Sequence, residues 1–164
     1  SAFTPQATAA ALYYLIHSTL AMAALFLLSD LVPNRRDGLT AALFMAAAVA
    51  MAGMPPLSGF VGKLLIMDAL RASAPLIWTL ILLSSLLTML GLARIGSGLF
   101  WKAEAPRPSD SIAPFAPVAT VLCLSALLAL TLGAGQILTW LEATAQNLHA
   151  PAAYIAALSL GAGG

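Results

Sequence analysis

The sequence has 164 residues, 61% of them hydrophobic and only 8% charged, with a mean hydropathy of +0.96 and a formal net charge of +1. Soluble domains carry about 25% charged residues, so this chain lacks the polar surface to face water all round, and its near-neutral balance offers no basic face for nucleic acid. The composition describes an all-α, polytopic transmembrane helix bundle seated in the lipid bilayer.

The chain begins SAFTPQATAA. No methionine and no basic run precede the apolar segment, so this is an internal start rather than a signal peptide, as in a piece of something longer. The first apolar segment runs from about Ala7 to Val32. It suffices for one crossing, since ~20 helical residues traverse a ~30 Å hydrocarbon core. PNRRDG (Pro33–Gly38) is predicted as a turn. The next apolar stretch, Leu39 to Arg71, has 33 residues. Unbroken, at about 1.5 Å per residue, it would reach about 50 Å, too long for one ordinary crossing.

That stretch is interrupted by GMPPLSGFVGK, Gly53 to Lys63. Proline removes a backbone donor and clashes with the preceding turn. Glycine relaxes the local conformation. Gly53, Pro55, Pro56, Gly59 and Gly62 together predict a broken helix, with elements at about 39–53 and 56–71. ASAP (Ala72–Pro75) is a short turn, and residues 76–101 form a clear crossing. Trp101 and Lys102 are placed there as interfacial anchors. AEAPRPSDS (Ala103–Ser111) is a surface loop. Residues 115–141 form the last crossing, ended by Trp140 and Glu142. Residues 1–142 thus make the bundle. Residues 143–164 make a tail, too short and interrupted to cross, that lies along the interface or on a partner.

Arg35 and Arg36 mark one loop; Lys102 and Arg107 mark another. Four crossings put both loops on one side, which the positive-inside rule assigns to the cytoplasm, whereas five elements separate them. The length of the second apolar stretch favours five.

An ionisable side chain at the centre of a crossing costs roughly 2.5–3.5 kcal/mol. The candidates are His17, Lys63, Asp68 and Arg94, while Asp30 and Arg71 sit near segment ends and reach the interface. Lys63 is the sharpest. Backbone groups freed by a helix break are tolerable in a membrane only where protein or a wet cavity surrounds them, so a lysine there is reachable by water and partners. A nearby moving charge would switch it between charged and neutral forms, which makes it a proton-transfer element. The competing reading is a lysine whose stem covers apolar surface while its head reaches a headgroup.

Asp68 and Arg71 are spaced i, i+3 and pair. Lys63 and Asp68 lie roughly 140° apart around a helix, so the partner of Lys63 must come from another helix, in this chain or outside it. His17 lies near the middle of the first crossing, and histidine titrates near neutrality. Tyr13 shares its face, and Ser18 and Thr19 add hydroxyls nearby. The competing reading is a lone histidine hydrogen-bonded across helices. Tyr13, Ser58, Asp68 and Arg71 are the supporting candidates around His17 and Lys63. Arg94 is expected as an interfacial anchor and His149 as a solvated tail residue. Cys123 is expected to be a small buried hydrophobe. There is no CxxC, HExxH, GxSxG, Walker loop or GxGxxG, and neither a metal nor a bound cofactor is expected.

YYLIHSTLAMAALFLLSD followed by AMAGMPPLSGFVGKLLI resembles the proton-translocating antiporter family. That family comprises the Mrp-type multisubunit cation/proton antiporters and the antiporter-like subunits of respiratory complex I and related hydrogenases. The G-x-PP-L-S-G-F-x-G-K pattern is the more specific part of the likeness. The tail TAQNLHAPAAYIAAL is similar to the D subunits of the Mrp-type branch. The resemblance implies two inverted five-helix repeats, each with a broken helix carrying a charged residue at mid-membrane. Lys63 matches that position in the second repeat, and His17 matches a histidine on the family's central hydrophilic axis. By that match the chain holds roughly helices ten to fourteen, again five elements. The first repeat, with its glutamate–lysine pair, is absent, so the rest of a transmembrane path would come from elsewhere.

The resemblance further implies a non-enzymatic role in the cell (inner) membrane: exchange of a monovalent cation, Na+ or K+, for H+, within a complex of other subunits. Lys63 would be the titrating switch and His17 a relay. No carboxylate cluster of the kind a sodium site uses is visible. Two alternatives stay open: a proton-pumping antiporter-like subunit of complex I or a hydrogenase, and a non-transporting membrane scaffold.

Overall fold

The structure, a computed structural model, describes residues 4–34, 37–71, 74–101 and 116–150, with Asp30, Pro33, Asn34, Ala74, Trp101 and Ala116 described by backbone alone. The expectations for Arg35 and Arg36, for most of the ASAP turn, for Lys102 and the 103–111 loop, and for the tail from residue 151 onward lie outside the described residues. So do those for the side chains of Asp30 and Trp101.

Six helices run in order: α1 (Pro5–Asn34), α2 (Gly38–Ala52), α3 (Ser58–Ala69), α4 (Ala74–Trp101), α5 (Ala116–Leu132) and α6 (Ala134–His149). Among the described residues there is no strand. The fold is an all-helical membrane bundle. Two helices, α1 and α4, are each long and apolar enough to cross a membrane, and α5 with α6 makes a third candidate as a bent pair.

Local chemistry sets the helix ends. Thr4 accepts a hydrogen bond from the Ala7 N–H at 3.1 Å ahead of Pro5, a residue that needs no N–H at a first helical position. Asp37 caps α2 by accepting from the Thr40 N–H at 2.9 Å. At the far end of α2, Gly53 turns left-handed, with φ 69°. The Gly53 N–H then bonds the Ala50 carbonyl at 3.0 Å and the Met54 N–H bonds the Val49 carbonyl at 3.3 Å. This is the paired closure that glycine commonly provides at a helix C-terminus. The chain then runs through Pro55 and Pro56, joined by a cis peptide bond, before α3 begins at Ser58. The break predicted between Gly53 and Lys63 is present.

α1 is the hub and packs against α2, α3, α5 and α6, whereas α4 packs chiefly against α2 and α3. The clusters fix the direction of travel. Near the end of α1, Ala24, Leu28 and Leu31 pack with Leu43, Phe44 and Ala47 of α2, and Leu99, Phe100, Cys123 and Leu124 join them. At its middle, Ala21 packs with Ala50 and Leu127. Near its start, Ala9 and Tyr13 pack with Val61, Leu65, Leu130, Leu141 and Ala145. So α2 and α3, taken in sequence, retrace the length of α1 in reverse. α4 returns toward the end of α1, and α5 runs back toward its start. Cys123 is half-buried against the first cluster rather than fully enclosed.

The last predicted crossing, residues 115–141, is not one helix. It breaks at Gly133, and α5 and α6 diverge by 81°. The two halves differ in character. α5 is apolar nearly all round, while α6 places Ile137, Leu138, Leu141 and Ala145 against α1 and turns Gln136, Thr139, Glu142, Gln146 and Asn147 outward. A helix with one polar face has no place in the middle of a hydrocarbon layer. Residues 143–149, expected as the start of a tail, belong to α6. His149 is the last residue of that helix, and its Nε2 lies 2.9 Å from the Thr8 hydroxyl.

Candidate functional site

The break between α2 and α3 exposes two helix ends to each other, and each faces one titratable side chain. The C-terminal turn of α2 faces Lys63. Four N–H groups at the start of a helix and four carbonyls at its end lack partners within the helix. The glycine turn takes up the Val49 and Ala50 carbonyls, and Lys63 takes another: its Nζ donates to the Ala52 carbonyl at 2.8 Å. A cation at a helix C-terminus also meets the negative end of the helix dipole. The second partner of Nζ is the Ser85 hydroxyl on α4, at 2.7 Å. The partner of Lys63 therefore does come from other helices, and both are neutral oxygens. A cavity of about 270 Å³ lies beside the ammonium, bounded by α2, α3 and α4.

The N-terminal turn of α3 faces His17, which is buried within the bundle. Its Nδ1 lies 2.9 Å from the hydroxyl of Ser58, the first residue of α3. Ser58 is also buried, and its Oγ reaches the Leu127 carbonyl of α5 at 3.4 Å. The ring also lies close to the Ala50 carbonyl: a Cβ built on Gly59 would stand within 3 Å of both His17 Nε2 and the Ala50 oxygen. Thus both side chains gather at the last turn of α2, Lys63 on the Ala52 carbonyl and His17 beside the Ala50 carbonyl. Tyr14 adds a tilted ring contact at 5.9 Å between centroids.

Two glycines make this approach feasible. A Cβ on Gly53 would stand 2.7 Å from Lys63 Nζ, and a Cβ on Gly59 would stand 2.5 Å from His17 Nε2 and 2.9 Å from the Ala50 carbonyl oxygen. Gly62, Pro55 and Pro56 make no polar contact with either side chain; Gly62 lets α3 lie close against Tyr14.

The supporting candidates divide. Ser58 is at the site. Tyr13 is buried on the same face of α1, but its hydroxyl donates to the Leu130 carbonyl of α5 at 3.0 Å rather than to His17. Asp68 and Arg71 form the expected ion pair, and Gln6 reaches Asp68 at 3.5 Å. Those contacts lie at the far end of α3, away from Lys63. Ser18 and Thr19, expected near His17, turn back onto the Leu15 carbonyl of their own helix at 3.1 and 2.8 Å. Arg94 is exposed on α4. Ser85 escaped the sequence reading. The signal was there: Ser84 and Ser85 are adjacent hydroxyls in the middle of the apolar run LIWTLILLSSLLTML.

Among curated proteins, the chain is 35% identical over 174 aligned residues to the D subunit of a Na+/H+ antiporter from Bacillus subtilis (strain 168), an alignment covering 94% of this chain and 35% of that protein. It is 32% identical over 189 residues to the D subunit of a probable K+/H+ antiporter from Rhizobium meliloti (strain 1021), covering 87% of this chain and 35% of the relative. It is 31% identical over 146 residues to the D subunit of a Na+/H+ antiporter from Alkalihalophilus pseudofirmus, covering 79% and 29%. The chain therefore spans about a third of the length of the curated relatives it matches. No family model and no solved structure matches it.

Proposed function

The chain belongs to the family of antiporter D subunits, and from that premise we propose that it serves in a multisubunit antiporter of the cell's inner membrane that exchanges Na+ or K+ for H+. It is a transporter component rather than an enzyme, and its partners are the other subunits of that complex. The chemistry is protonation and exchange, with no covalent step. Lys63 is the titrating switch, and His17 passes protons to and from it.

One observation carries this reading. Lys63, a lysine inside a membrane bundle, ends on two neutral oxygens at a helix break, next to a cavity and within electrostatic reach of a buried histidine. An ammonium held by a carboxylate would be locked in its charged form. One held by a carbonyl and a hydroxyl is stabilised less and can give up its proton when a charge approaches. The relatives' names include both sodium and potassium exchange, so the proposal covers either monovalent cation.

The test is cation-dependent proton flux in inverted vesicles, with complex assembly quantified alongside. Lys63→Ala is expected to abolish or strongly reduce antiport while the complex still assembles. Lys63→Arg is expected to fail as well, because a guanidinium stays protonated in proteins. A merely structural positive charge would be rescued by arginine. Normal flux through assembled Lys63→Ala complexes would sink the proposal and favour a scaffold.

A further inference from the structure

The Ser85 hydroxyl does two things at once. It donates to the Ile81 carbonyl of its own helix at 2.8 Å and lies 2.7 Å from Lys63 Nζ, where it accepts. We propose that Ser85 is the positioning residue of Lys63, the hydroxyl that keeps its amine bonded both with and without the extra proton. The inference rests on the reading of Lys63 as a proton switch and deepens it.

An ammonium has three N–H donors and nothing that accepts. Toward it, Ser85 can only accept, and its own proton goes to Ile81. Once Lys63 has lost a proton, the amine still donates to the Ala52 carbonyl but gains a lone pair that needs a donor. A hydroxyl carries one donor and two acceptor sites and rotates freely. Ser85 can turn its proton from Ile81 to Nζ without any movement of α4. The Ile81 carbonyl tolerates this, because it lies within α4, where the helical N–H four residues on supplies a partner. The Ala52 carbonyl cannot substitute, since it only accepts. Ser85 thus gives each protonation state of Lys63 a complete set of partners and holds the side chain at the end of α2 throughout.

The surroundings leave this role to Ser85. The cavity beside Lys63 is lined by Ala52 at the end of α2, by Gly53 and Met54 of the break and by Ile81, Ser85 and Met89 of α4, and no other described lining residue is titratable. From α1, His17 is the titratable group at the same break, with its Nδ1 2.9 Å from the Ser58 hydroxyl. On α3, Asp68 is paired with Arg71.

The experiment compares Ser85→Thr with Ser85→Val in the intact complex, because the two side chains share a shape and differ by the hydroxyl. Flux and assembly are measured together, with Lys63→Ala in the same vesicles. Threonine is expected to keep antiport within about twofold of the parent and valine to lower it about tenfold, the equivalent of one hydrogen bond to a charged group. Ser85→Ala, which removes the hydroxyl without adding bulk, is expected to match valine and replaces it where valine disturbs assembly. Parent-level flux in assembled Ser85→Val or Ser85→Ala complexes would overturn the inference. So would a Ser85→Thr complex as inactive as the valine one. If Lys63→Ala is inactive while Ser85→Val is normal, only this inference falls. If Lys63→Ala is itself normal, the proton-switch reading falls and takes this one with it.

Discussion

Gly53 meets two separate demands. Its φ of 69° lies where a residue with a Cβ pays about 1–2 kcal/mol. The Cβ would also stand 2.7 Å from Lys63 Nζ, so the ammonium could not reach the Ala52 carbonyl as it does now. The two demands can be separated. Asparagine tolerates the left-handed region better than alanine, but its Cβ intrudes on Lys63 just as much. Gly53→Ala is therefore expected to lower both the thermal stability of the purified complex and its antiport. Gly53→Asn should recover part of the stability and little of the flux. Parent-level flux in Gly53→Asn would mean that Lys63 does not need its seat on α2. Both demands also explain how far the site could be read in advance. That a glycine ends a helix is a local property and shows in the sequence. That the same glycine makes room for a lysine ten residues on is a property of the folded break.

At the scale of the helix, the break itself was the most legible feature. Proline and glycine act on their own backbone and immediate neighbours, so GMPPLSGFVGK declares a break wherever it sits. Its partners were not legible. Ser85 lies 22 residues beyond Lys63 and Leu127 lies 69 beyond Ser58, and nothing local ties either to the motif. The bend at Gly133 was missed for a different reason. Counting apolar residues carried the last crossing to Leu141, although Gly133, Gly135 and the polar face that follows were present in the sequence. Periodicity, not content, separates α5 from α6. A helix break in a membrane must have its backbone groups met by protein or water, and Pro55 and Pro56 are exposed in this bundle. In a background with Cys123→Ala, which removes the chain's single cysteine, Pro55→Cys is expected to react with a small hydrophilic thiol reagent. Leu83→Cys, on the outer face of α4, should resist it. Equal resistance at both positions would argue that the break is sealed from water and that protons reach Lys63 by another route.

The whole molecule places these features in depth. His17 stands twelve residues from the start of α1 (17 − 5) and seventeen from its end (34 − 17), well inside the crossing. α2 and α3 retrace α1 in reverse, from the Leu43 and Phe44 contacts near its end to the Gln6–Asp68 contact near its start. They are the two elements that length suggested, laid end to end along α1, with Lys63 just past the break between them. α1 and α4 are each long and apolar enough to cross a membrane, and α5 with α6 makes a third candidate; taking α2 with α3 as one more would make four. On that path α1 and α4 finish at the same end of the bundle. In the sequence, Arg35 and Arg36 follow the first and Lys102 and Arg107 follow the second, whereas Arg71 at the other end is paired with Asp68. With four crossings, the positive-inside rule would put the ends of α1 and α4 in the cytoplasm. In the Cys123→Ala background, Gly38→Cys is expected to react with a membrane-impermeant thiol reagent only in inverted vesicles. Arg71→Cys, at the end of α3, is expected to react only from the outside of intact cells. Labelling of both positions from the same side would make α2 and α3 a hairpin that enters and leaves by one face. Lys63 would then sit at the tip of a re-entrant loop, and a path through it from one side of the membrane to the other would need a different account.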